Sequence, residues 1–415
     1  MQMIEIPAPD FDLAKTLESG QVFHWEKIGN GFCGTIGEQA VYVEQCEDAF
    51  LANVASASSR CLEEHGQDAR ATIRRYFALD HPLAEICASF PQDETMKAAR
   101  DFCRGLRIIR QPKWECLATF ICSSMKQIAH IRQISQALRR RFGEPRKIGL
   151  QRSIQNARGG SASLLAKAFG APRAMLIDSA SPTFVNIELA AATTARSTYN
   201  HTVYTFPSAA RLAKSSEKEL RECALGYRAK NLLATARLVR LGEVDLGELS
   251  SLSDVDLRAK LCGLPGVGAK VANCVMLFAY ERLRAFPIDV WIERVLRESY
   301  FPRARRLNAA RLRTFTQEHF GEHSGYAQQY LFHHARMTSR KSGTVRDSSV
   351  RAGRAHSLGM TKKTARMHGQ GDGGHRTACH AKALRRRVGA KKNGTRPAFA
   401  RLRRGKRRVS LQAGE

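Results

Sequence analysis

Apolar and polar residues alternate in short stretches near the start of the chain. Such stretches cover residues 22–27, 32–36 and 40–45, with Gly-Asn-Gly and Gly-Glu turns between them. Alternation with a period of two, bounded by turn residues, is typical of strands that bury one face. The pattern predicts a small N-terminal antiparallel β domain, which we place at residues 1–90.

From about residue 63 the spacing of apolar residues changes to three and four. Residues 114–142 show this spacing, and residues 207–336 continue it with Pro and Gly interruptions. The period is that of amphipathic helices. We therefore expect an all-α domain made of residues 91–145 and 203–336, and an α+β protein as a whole.

Two segments follow neither pattern. Residues 146–202 are rich in Ala, Ser, Thr and Arg, and residues 340–415 are basic and poor in large apolar residues. We interpret the first as a low-complexity insertion in the helical domain and the second as a disordered basic C-terminal tail. Because a long unstructured loop is unusual inside a compact domain, a reading-frame error or an unprocessed sequence is an alternative explanation of both.

The charge of the chain favours a polyanionic partner. The formal net charge is +29, and the residues from Arg340 onward hold 22 Lys+Arg against 3 acidic residues, so the rest of the chain is basic as well. Nucleic acid fits this excess better than an acidic small molecule does. The run Arg403–Arg408 could serve nuclear import, although charge runs are more often simply solvated.

Cysteine usage and hydropathy suggest an intracellular protein. The 11 cysteines are scattered without a CxxC pair, which favours free thiols over disulfides or a zinc site. No stretch approaches about 18 uninterrupted apolar residues, and no secretory signal is visible. We expect a monomer with no membrane association, in the bacterial cytoplasm and nucleoid or in the eukaryotic nucleus.

Residues 261–274 contain a glycine-rich turn between two predicted helices. The proline of Leu-Pro-Gly-Val-Gly ends the first helix, and Gly266 and Gly268, on either side of Val267, permit a tight turn. The second helix is expected to start at about Ala269. Free N–H groups at a helix start bind phosphate, so the turn is interpreted as a grip on a DNA backbone, although an ordinary helical hairpin would look similar.

Lys270 and Asp289 add chemistry to this hairpin. Asp289 follows Lys270 by nineteen residues, in Phe-Pro-Ile-Asp-Val, and is a good N-cap for the helix predicted after it. Hairpin, lysine and Pro-x-Asp at this spacing resemble the helix-hairpin-helix DNA glycosylase superfamily. The resemblance implies that Lys270 is the nucleophile of a bifunctional member and that Asp289 is its carboxylate partner.

Two further segments resemble the eukaryotic-type 8-oxoguanine DNA glycosylases of that superfamily. Ser-Gly-Gln-Val-Phe-His-Trp looks like the signature whose glycine carbonyl accepts a hydrogen bond from the N7 proton of 8-oxoguanine, which implies this role for Gly20. Gly-Tyr-Ala-Gln-Gln-Tyr-Leu-Phe looks like the helix that closes the base pocket. It implies that Phe332 stacks on the flipped base, that Gln328 binds its Watson–Crick edge and that Cys274 lies at the other face.

Other resembling segments concern the DNA around the lesion. Leu-Gly-Tyr-Arg-Ala looks like the family's wedge, which implies that Tyr227 fills space near the extruded base and that Arg228 contacts the orphaned opposite base. After Phe-Ile-Cys-Ser-Ser, which resembles the helix start beside the DNA, Lys126 and His130 are expected to contact DNA. The resemblance covers about two-thirds of the chain and skips the insertion and the tail.

The chain departs from the family at four positions. Met125 and Lys126 stand where well-known members carry asparagines, His130 stands where an arginine is expected, and Trp291 stands where histidine is common. The first three lie near the expected opposite-base contacts. They leave open whether the protein strictly prefers cytosine opposite the lesion.

The resemblance as a whole implies a bifunctional DNA N-glycosylase and AP lyase of base-excision repair. It would flip 8-oxoguanine out of duplex DNA, excise it through a Lys270 Schiff base and nick the strand by β-elimination. No cofactor is required, although a cation could bind at the hairpin. No iron–sulfur cluster is expected, because only Cys379 follows Asp289, whereas the endonuclease III branch typically carries four cysteines there.

Three alternatives stay open at this point. An alkylated-base glycosylase of the same superfamily would keep Asp289 but generally lacks the lysine, and adenine-mismatch glycosylases lack the lysine too. A non-catalytic DNA-binding protein would need only the hairpin, the basic body and the tail. A product whose insertion disrupts the fold is the third.

Overall fold

The computed structural model describes residues 3–55, 62–151, 198–304 and 306–341. The predicted tail beyond residue 341 and the central part of the predicted insertion lie outside these ranges. In the described ranges an N-terminal antiparallel sheet precedes a mostly helical domain, so the α+β expectation is confirmed. No helix among the described residues is both long and apolar enough to cross a membrane.

The N-terminal sheet is a five-stranded meander with one long return. Its strands are β1 (Ile4–Pro7), β2 (Glu26–Ile28), β3 (Gly31–Ile36), β4 (Gln39–Cys46) and β5 (Ala49–Ala55), in the order β1-β5-β4-β3-β2. All neighbours are antiparallel, and two-residue turns join β2 to β5. The first residue of each turn has positive φ, as primed hairpin turns require.

The apolar face of this sheet packs against two helices, α1 (Leu13–Glu18) and α2 (Leu62–Tyr76). Phe50 of β5 meets Phe11 edge-on at a centroid distance of 4.6 Å and Phe77 at 5.3 Å. These rings are buried with the alternate residues of β4. Burial on one face only is what the period-two pattern predicts.

The strand predicted at residues 22–27 is wrong over most of its length, because only Glu26–Ile28 pairs as a strand. Residues 21–25 are buried but irregular. The amide of Gln21 donates to the carbonyl of Arg107 at 2.8 Å and accepts from the N–H of Ile109 at 2.8 Å. A side chain therefore supplies bonds that a neighbouring strand would otherwise supply, and this fixes the loop that carries Gly20.

The helical domain forms the largest buried core of the described residues. Its helices up to the hairpin are α3 (Leu83–Ala88), α4 (Glu94–Phe102), α5 (Lys113–Ser123), α6 (Ile128–Phe142), α7 (Ala209–Ala213), α8 (Glu217–Leu220), α9 (Arg228–Arg240) and α10 (Asp254–Cys262). The remaining ones are α11 (Ala269–Ala279), α12 (Val290–Val295), α13 (Ala309–Phe320) and α14 (Ser324–Lys341). Short π-helical turns cover Arg221–Leu225 and Leu296–Tyr300, and 3₁₀ turns cover Glu248–Ser251 and Gly321–His323.

Both ends of the predicted insertion are regular structure. Strands β6 (Pro145–Gln151) and β7 (Thr198–Tyr204) pair antiparallel over seven residues each. Ile148, Leu150 and Val203 pack on Cys33 and Ala40 of the N-terminal sheet. The expectation of weak structure from residue 146 to residue 202 therefore fails at its two ends, where pairing and burial order the chain.

Candidate active site

The glycine-rich turn joins α10 to α11 as predicted. Gly266 has φ +80°, and a Cβ there would lie 2.8 Å from the Asn231 Cβ of α9, so the turn needs glycine for two reasons. Helix α11 begins at Ala269 with Gly268 as its N-cap and no capping side chain. A Cβ at Gly268 would meet nothing within 4 Å. The helix start is thus open to an approaching phosphate.

Val267, the middle residue of this turn, differs from its two glycine neighbours. Its side chain is buried in the helical core, and its N–H donates to the carbonyl of Leu264 at 3.1 Å. Val267 therefore has a structural role in this conformation, and its N–H group is already bonded. The phosphate grip predicted for Gly266, Val267 and Gly268 depends mainly on the uncapped start of α11.

Lys270 lies in the first turn of α11 and is half-buried. Its Nζ is 3.5 Å from the Ser123 Oγ at the end of α5 and 5.2 Å from the centroid of the Phe120 ring. An aromatic face attracts a cation but also shields it from water. The ammonium therefore lies at the edge of the core, beside one hydroxyl and one aromatic ring.

Cys274 follows Lys270 by one helical turn and faces the same side. Burial raises the pKa of the Cys274 thiol to about 11, and the positive charge of Lys270 opposes this rise only in part. The thiol is therefore protonated at neutral pH and acts as a small apolar group. It does not compete with Lys270 as a nucleophile, because the thiolate is the reactive form.

Asp289 caps α12, as the sequence predicts. Its Oδ1 accepts from the N–H of Trp291 at 3.0 Å and from that of Ile292 at 2.9 Å. Burial raises the pKa of the Asp289 carboxyl, while the Ile292 N–H and the charge of Lys270 pull it down. The cap fixes where the carboxylate points, and its charge acts on Lys270.

One cleft contains the predicted catalytic and base-binding residues together. Its lining residues are Gly20, Phe120, Lys270, Cys274, Phe278, Pro287, Asp289, Gln328, Gln329 and Phe332, and it holds about 310 Å³ of space, part of it open to solvent. All six residues predicted for chemistry and base recognition are among them. A nucleophile, a carboxylate, an amide and an aromatic ring thus face a common space.

Gly20 has a backbone conformation and close surroundings that a residue with a side chain could not adopt without strain. Its φ is +91°, and a Cβ there would lie 2.7 Å from Ile128 Cδ1 and 3.1 Å from Phe332 Cε1. Gln329 donates to the carbonyl of Ser19 at 3.2 Å and Arg336 to that of Glu18 at 2.6 Å, so α14 holds this loop from the other side. The Gly20 backbone is consequently fixed at the cleft.

Gln328 is 4% exposed, and its Oε1 has no hydrogen-bond partner among the described residues. A buried acceptor without a partner is costly, typically by about 1–3 kcal/mol. This oxygen lies in the lining of the cleft. A bound ligand with N–H groups would donate a hydrogen bond to it and remove the cost. This agrees with the predicted recognition of a base edge.

Four residues that line the cleft were not predicted from the sequence. These are Phe120, Phe278, Pro287 and Gln329. Helical spacing could have found one of them, because Lys270, Cys274 and Phe278 recur every four residues on one face of α11. The same spacing places Arg336 beyond Gln328 and Phe332 on α14, with its guanidinium 5.5 Å from the Phe332 ring.

The residues predicted to contact DNA outside the cleft differ in exposure. Tyr227 is 60% exposed, His130 is exposed and Lys126 is half-exposed. Arg228 is only 5% exposed, because its guanidinium donates to the carbonyls of Ser124 and Leu225. In this conformation the Arg228 guanidinium is therefore not free to make its predicted contact with the opposite base.

Within the described parts of the chain, no group of three or more His, Cys, Asp and Glu side chains is placed to hold a metal ion. The cation predicted at the hairpin would be held by backbone carbonyls, and it stays a prediction.

Known proteins resemble this chain in sequence. Residues 3–117 match the family of the 8-oxoguanine DNA glycosylase N-terminal domain. A probable N-glycosylase/DNA lyase of Methanothermobacter thermautotrophicus is 26% identical over 340 residues, covering 81% of this chain and 96% of that protein. The N-glycosylase/DNA lyase OGG1 of Arabidopsis thaliana is 27% identical over 344 residues, covering 79% of this chain and 78% of that protein.

The fold has solved counterparts too. The Clostridium acetobutylicum 8-oxoguanine glycosylase/lyase, solved with double-stranded DNA containing cytosine opposite to 8-oxoG, has a TM-score of 0.62 at 25% identity, over 82% of this chain and 99% of that one. Sequence and fold agree across the N-terminal sheet and the helical domain. Residues 3–117 thus match the N-terminal domain of the 8-oxoguanine DNA glycosylases, and the described chain as a whole is similar in sequence and fold to these enzymes.

Proposed function

We propose that the protein is a bifunctional DNA glycosylase and AP lyase that removes 8-oxoguanine from duplex DNA. The main supporting observation is that Lys270 and Asp289 line the same cleft as Gly20, Gln328 and Phe332. A non-catalytic DNA-binding protein would not need a lysine and a buried carboxylate in one cleft. The N-glycosylase/DNA lyase names of its relatives support the same reaction.

Base recognition follows from the groups that line the cleft. The target nucleotide must leave the stack, which costs a few kcal/mol, before its base can reach the pocket. We assign the stacking face to Phe332 and the opposite face to Cys274, whose thiol is neutral. The free Oε1 of Gln328 accepts from the Watson–Crick edge, and the Gly20 carbonyl accepts from the N7 proton that distinguishes 8-oxoguanine from guanine.

The chemical steps then use Lys270 and Asp289. The neutral amine of Lys270 attacks C1′, and the C1′–N9 bond breaks with its electron pair leaving on the base, which takes up a proton. The sugar ring opens to a Schiff base on Nζ. Loss of a C2′ proton then breaks the C3′–O bond and releases the 3′-phosphate. Asp289 stabilises the positive charge that develops on the sugar.

Such an enzyme works where the DNA is, in a nucleoid or a nucleus. Its substrate is double-stranded DNA, and the uncapped start of α11 is assigned to one phosphate of the damaged strand. Phosphate contacts position a protein without reading sequence, which suits an enzyme that must find lesions in any context.

Trapping with borohydride tests the assignment. Incubated with a duplex that holds one 8-oxoguanine opposite cytosine, the protein should form a covalent adduct, because borohydride reduces the Schiff base. Lys270→Gln should abolish the adduct and keep lesion binding. Lys97→Gln, an exposed lysine on α4, is the matched control and should trap normally.

Two results would contradict the proposal. A normal trapping yield with Lys270→Gln would refute the nucleophile. An adduct on alkylated purine or oxidised pyrimidine, and none on 8-oxoguanine, would place the protein in another branch of the superfamily.

A further inference from the structure

Ser123, the last residue of α5, places a buried hydroxyl beside Lys270. The residue is 5% exposed, and its Oγ lies 3.5 Å from Lys270 Nζ. Ser123 is not among the residues that line the cleft. A bound nucleotide would therefore meet the lysine and not the hydroxyl, so any influence of Ser123 on the reaction must pass through Lys270.

The direction of the hydroxyl proton limits what Ser123 can do. Its Oγ donates to the carbonyl of Phe120 at 2.8 Å. A serine hydroxyl has one O–H group and two lone pairs. Because the O–H group is committed to the carbonyl, only the lone pairs remain for Lys270, and the oxygen accepts a hydrogen bond from Nζ. Ser123 thus offers Lys270 an acceptor and no proton.

Phe120 fixes this hydroxyl in place. Its ring is buried, stacks on the Phe278 ring of α11 at a centroid distance of 5.5 Å, and meets the Phe23 ring edge-on at 6.1 Å. A side chain packed closely on two sides also restrains its own backbone carbonyl. The Ser123 hydroxyl is bonded to that carbonyl, so it has a fixed position next to Nζ.

The contacts of Lys270 differ in whether they depend on its charge. The Phe120 ring, 5.2 Å from Nζ, and the carboxylate of Asp289 both attract the positive charge of the ammonium. Nucleophilic attack needs the neutral amine, for which both attractions are weak. The Ser123 oxygen accepts an N–H bond from the amine as well as from the ammonium. It can therefore hold Nζ in the reactive form.

We propose that Ser123 is a positioning residue, which orients the neutral amine of Lys270 so that the Nζ lone pair faces the cleft. This inference rests on the proposed function. A neutral amine has two N–H groups and one lone pair, and it ends a flexible four-carbon stem. Engaging one N–H with Ser123 limits rotation about the Cε–Nζ bond, and attack requires the lone pair to be aligned with C1′. The 3.5 Å distance is long, as catalytic hydrogen bonds often are before substrate binds.

A duplex with a preformed abasic site isolates the step at Nζ. There Nζ adds to the C1′ aldehyde and water leaves, which gives the Schiff base that borohydride reduces, and no base has to be recognised or expelled. With enzyme in excess, Ser123→Ala should slow trapping on this duplex about tenfold or more, because the amine is no longer oriented. Excision from the 8-oxoguanine duplex should slow by a similar factor, while the affinity for both duplexes stays that of the wild type.

Two variants separate orientation from packing. Ser123→Cys nearly keeps the volume of the side chain but offers only a weak acceptor, so it should slow trapping as Ser123→Ala does. Ser215→Ala is the matched control, because Ser215 is also 5% exposed and its Oγ also donates to a helix carbonyl, that of Arg211 at 3.3 Å. This control should trap at the wild-type rate.

The pH dependence separates orientation from a change in protonation. A hydrogen bond to an ammonium is stronger than one to an amine, so the hydroxyl also favours the charged form of Lys270 slightly. Its removal should raise the share of neutral amine at about pH 7 and offset part of the lost rate there. At about pH 10, where free lysine begins to lose its proton, this compensation fades. The loss of rate in Ser123→Ala should therefore be at least as large under alkaline conditions as under neutral ones.

Four outcomes overturn the inference. These are a wild-type rate for Ser123→Ala on the abasic duplex, a wild-type rate for Ser123→Cys, an equal loss in Ser215→Ala, and a Ser123→Ala loss that disappears at alkaline pH or follows from weaker DNA binding alone. If the wild type traps both duplexes and Ser123→Ala does so at the same rate, only this inference fails. If the wild type traps neither, the proposed function fails and takes this inference with it.

Discussion

At the scale of single residues, Asp289 combines an observed structural role with a proposed chemical one. Its Oδ1 accepts two backbone N–H groups at the start of α12, and its charge acts on Lys270. The sequence predicts both roles, because Asp is a preferred N-cap and the spacing to the lysine is that of the superfamily. The balance between burial and charge, which raises the pKa of this carboxyl, needs the folded chain.

Asp289→Asn separates the two roles. Asparagine caps a helix about as well as aspartate, so the free energy of unfolding should change by less than about 1 kcal/mol. Excision should fall by about a hundredfold or more, because a neutral amide cannot stabilise positive charge on the sugar. Asp289→Ala should show the same loss of excision together with a lower unfolding midpoint. Near-normal excision by Asp289→Asn would contradict the role of the charge.

The pH profile measures the same group. A raised pKa means that the Asp289 carboxyl protonates at a higher pH than an ordinary aspartate, which titrates near about 3.9. As the pH falls through that pKa the charge is lost, so the excision rate should decline on an acid limb displaced upward. The limb should be missing in Asp289→Asn, and its persistence there would assign it to another group.

At the scale of elements, local signals found the helices better than the strands. Pro, Gly and Asp mark the ends of α10, α11 and α12, and the hairpin lies where it was predicted. The strand expected at residues 22–27 failed because the Gln21 amide, not a neighbouring strand, satisfies the backbone. A local sequence pattern does not predict hydrogen bonds between residues that are 86 or 88 positions apart in the chain.

The register of β6 and β7 predicts how the insertion can be removed. Gln151 pairs with Thr198 at the open end of the two strands, so an Asn-Gly turn in place of residues 152–197 should close a regular hairpin. The shortened protein should stay soluble and excise 8-oxoguanine at the wild-type rate, since shortening a loop does not raise its closure cost. Expression, thermal unfolding and excision measure this.

A larger deletion supplies the control. Removing residues 145–204 would also remove Ile148, Leu150 and Val203 and uncover Cys33 and Ala40 of the sheet. That variant should be less stable. If deletion of residues 152–197 alone makes the chain insoluble, this segment is part of the fold.

At the scale of the whole molecule, the cleft joins distant parts of the chain. Gln329 of α14 bonds to the carbonyl of Ser19, and Arg336 bonds to that of Glu18, across 310 and 318 positions. The cleft therefore forms only when the N-terminal loop and the last described helix dock on each other. Assembly of the cleft and global folding are coupled for this reason.

The basic tail should act on affinity and leave the chemistry alone. Residues 342–415 contain 20 Lys+Arg and 3 acidic residues. Without them, binding to lesion and undamaged duplex should weaken by equal factors, and the slope of log affinity against log salt should become shallower. Single-turnover excision with enzyme in excess should not change. A selective loss of lesion binding would contradict a purely electrostatic role.

The sequence by itself determined the reaction class and predicted the residues that we propose carry it. Lys270, Asp289, the glycine turn and the Gln328–Phe332 spacing are local or short-range features, which a linear pattern can display. Tertiary structure decided the rest, because it depends on groups far apart in sequence. It buried Arg228 against Ser124, left Met125 exposed, added Phe120 and Phe278 to the cleft and ordered the ends of the insertion on the sheet.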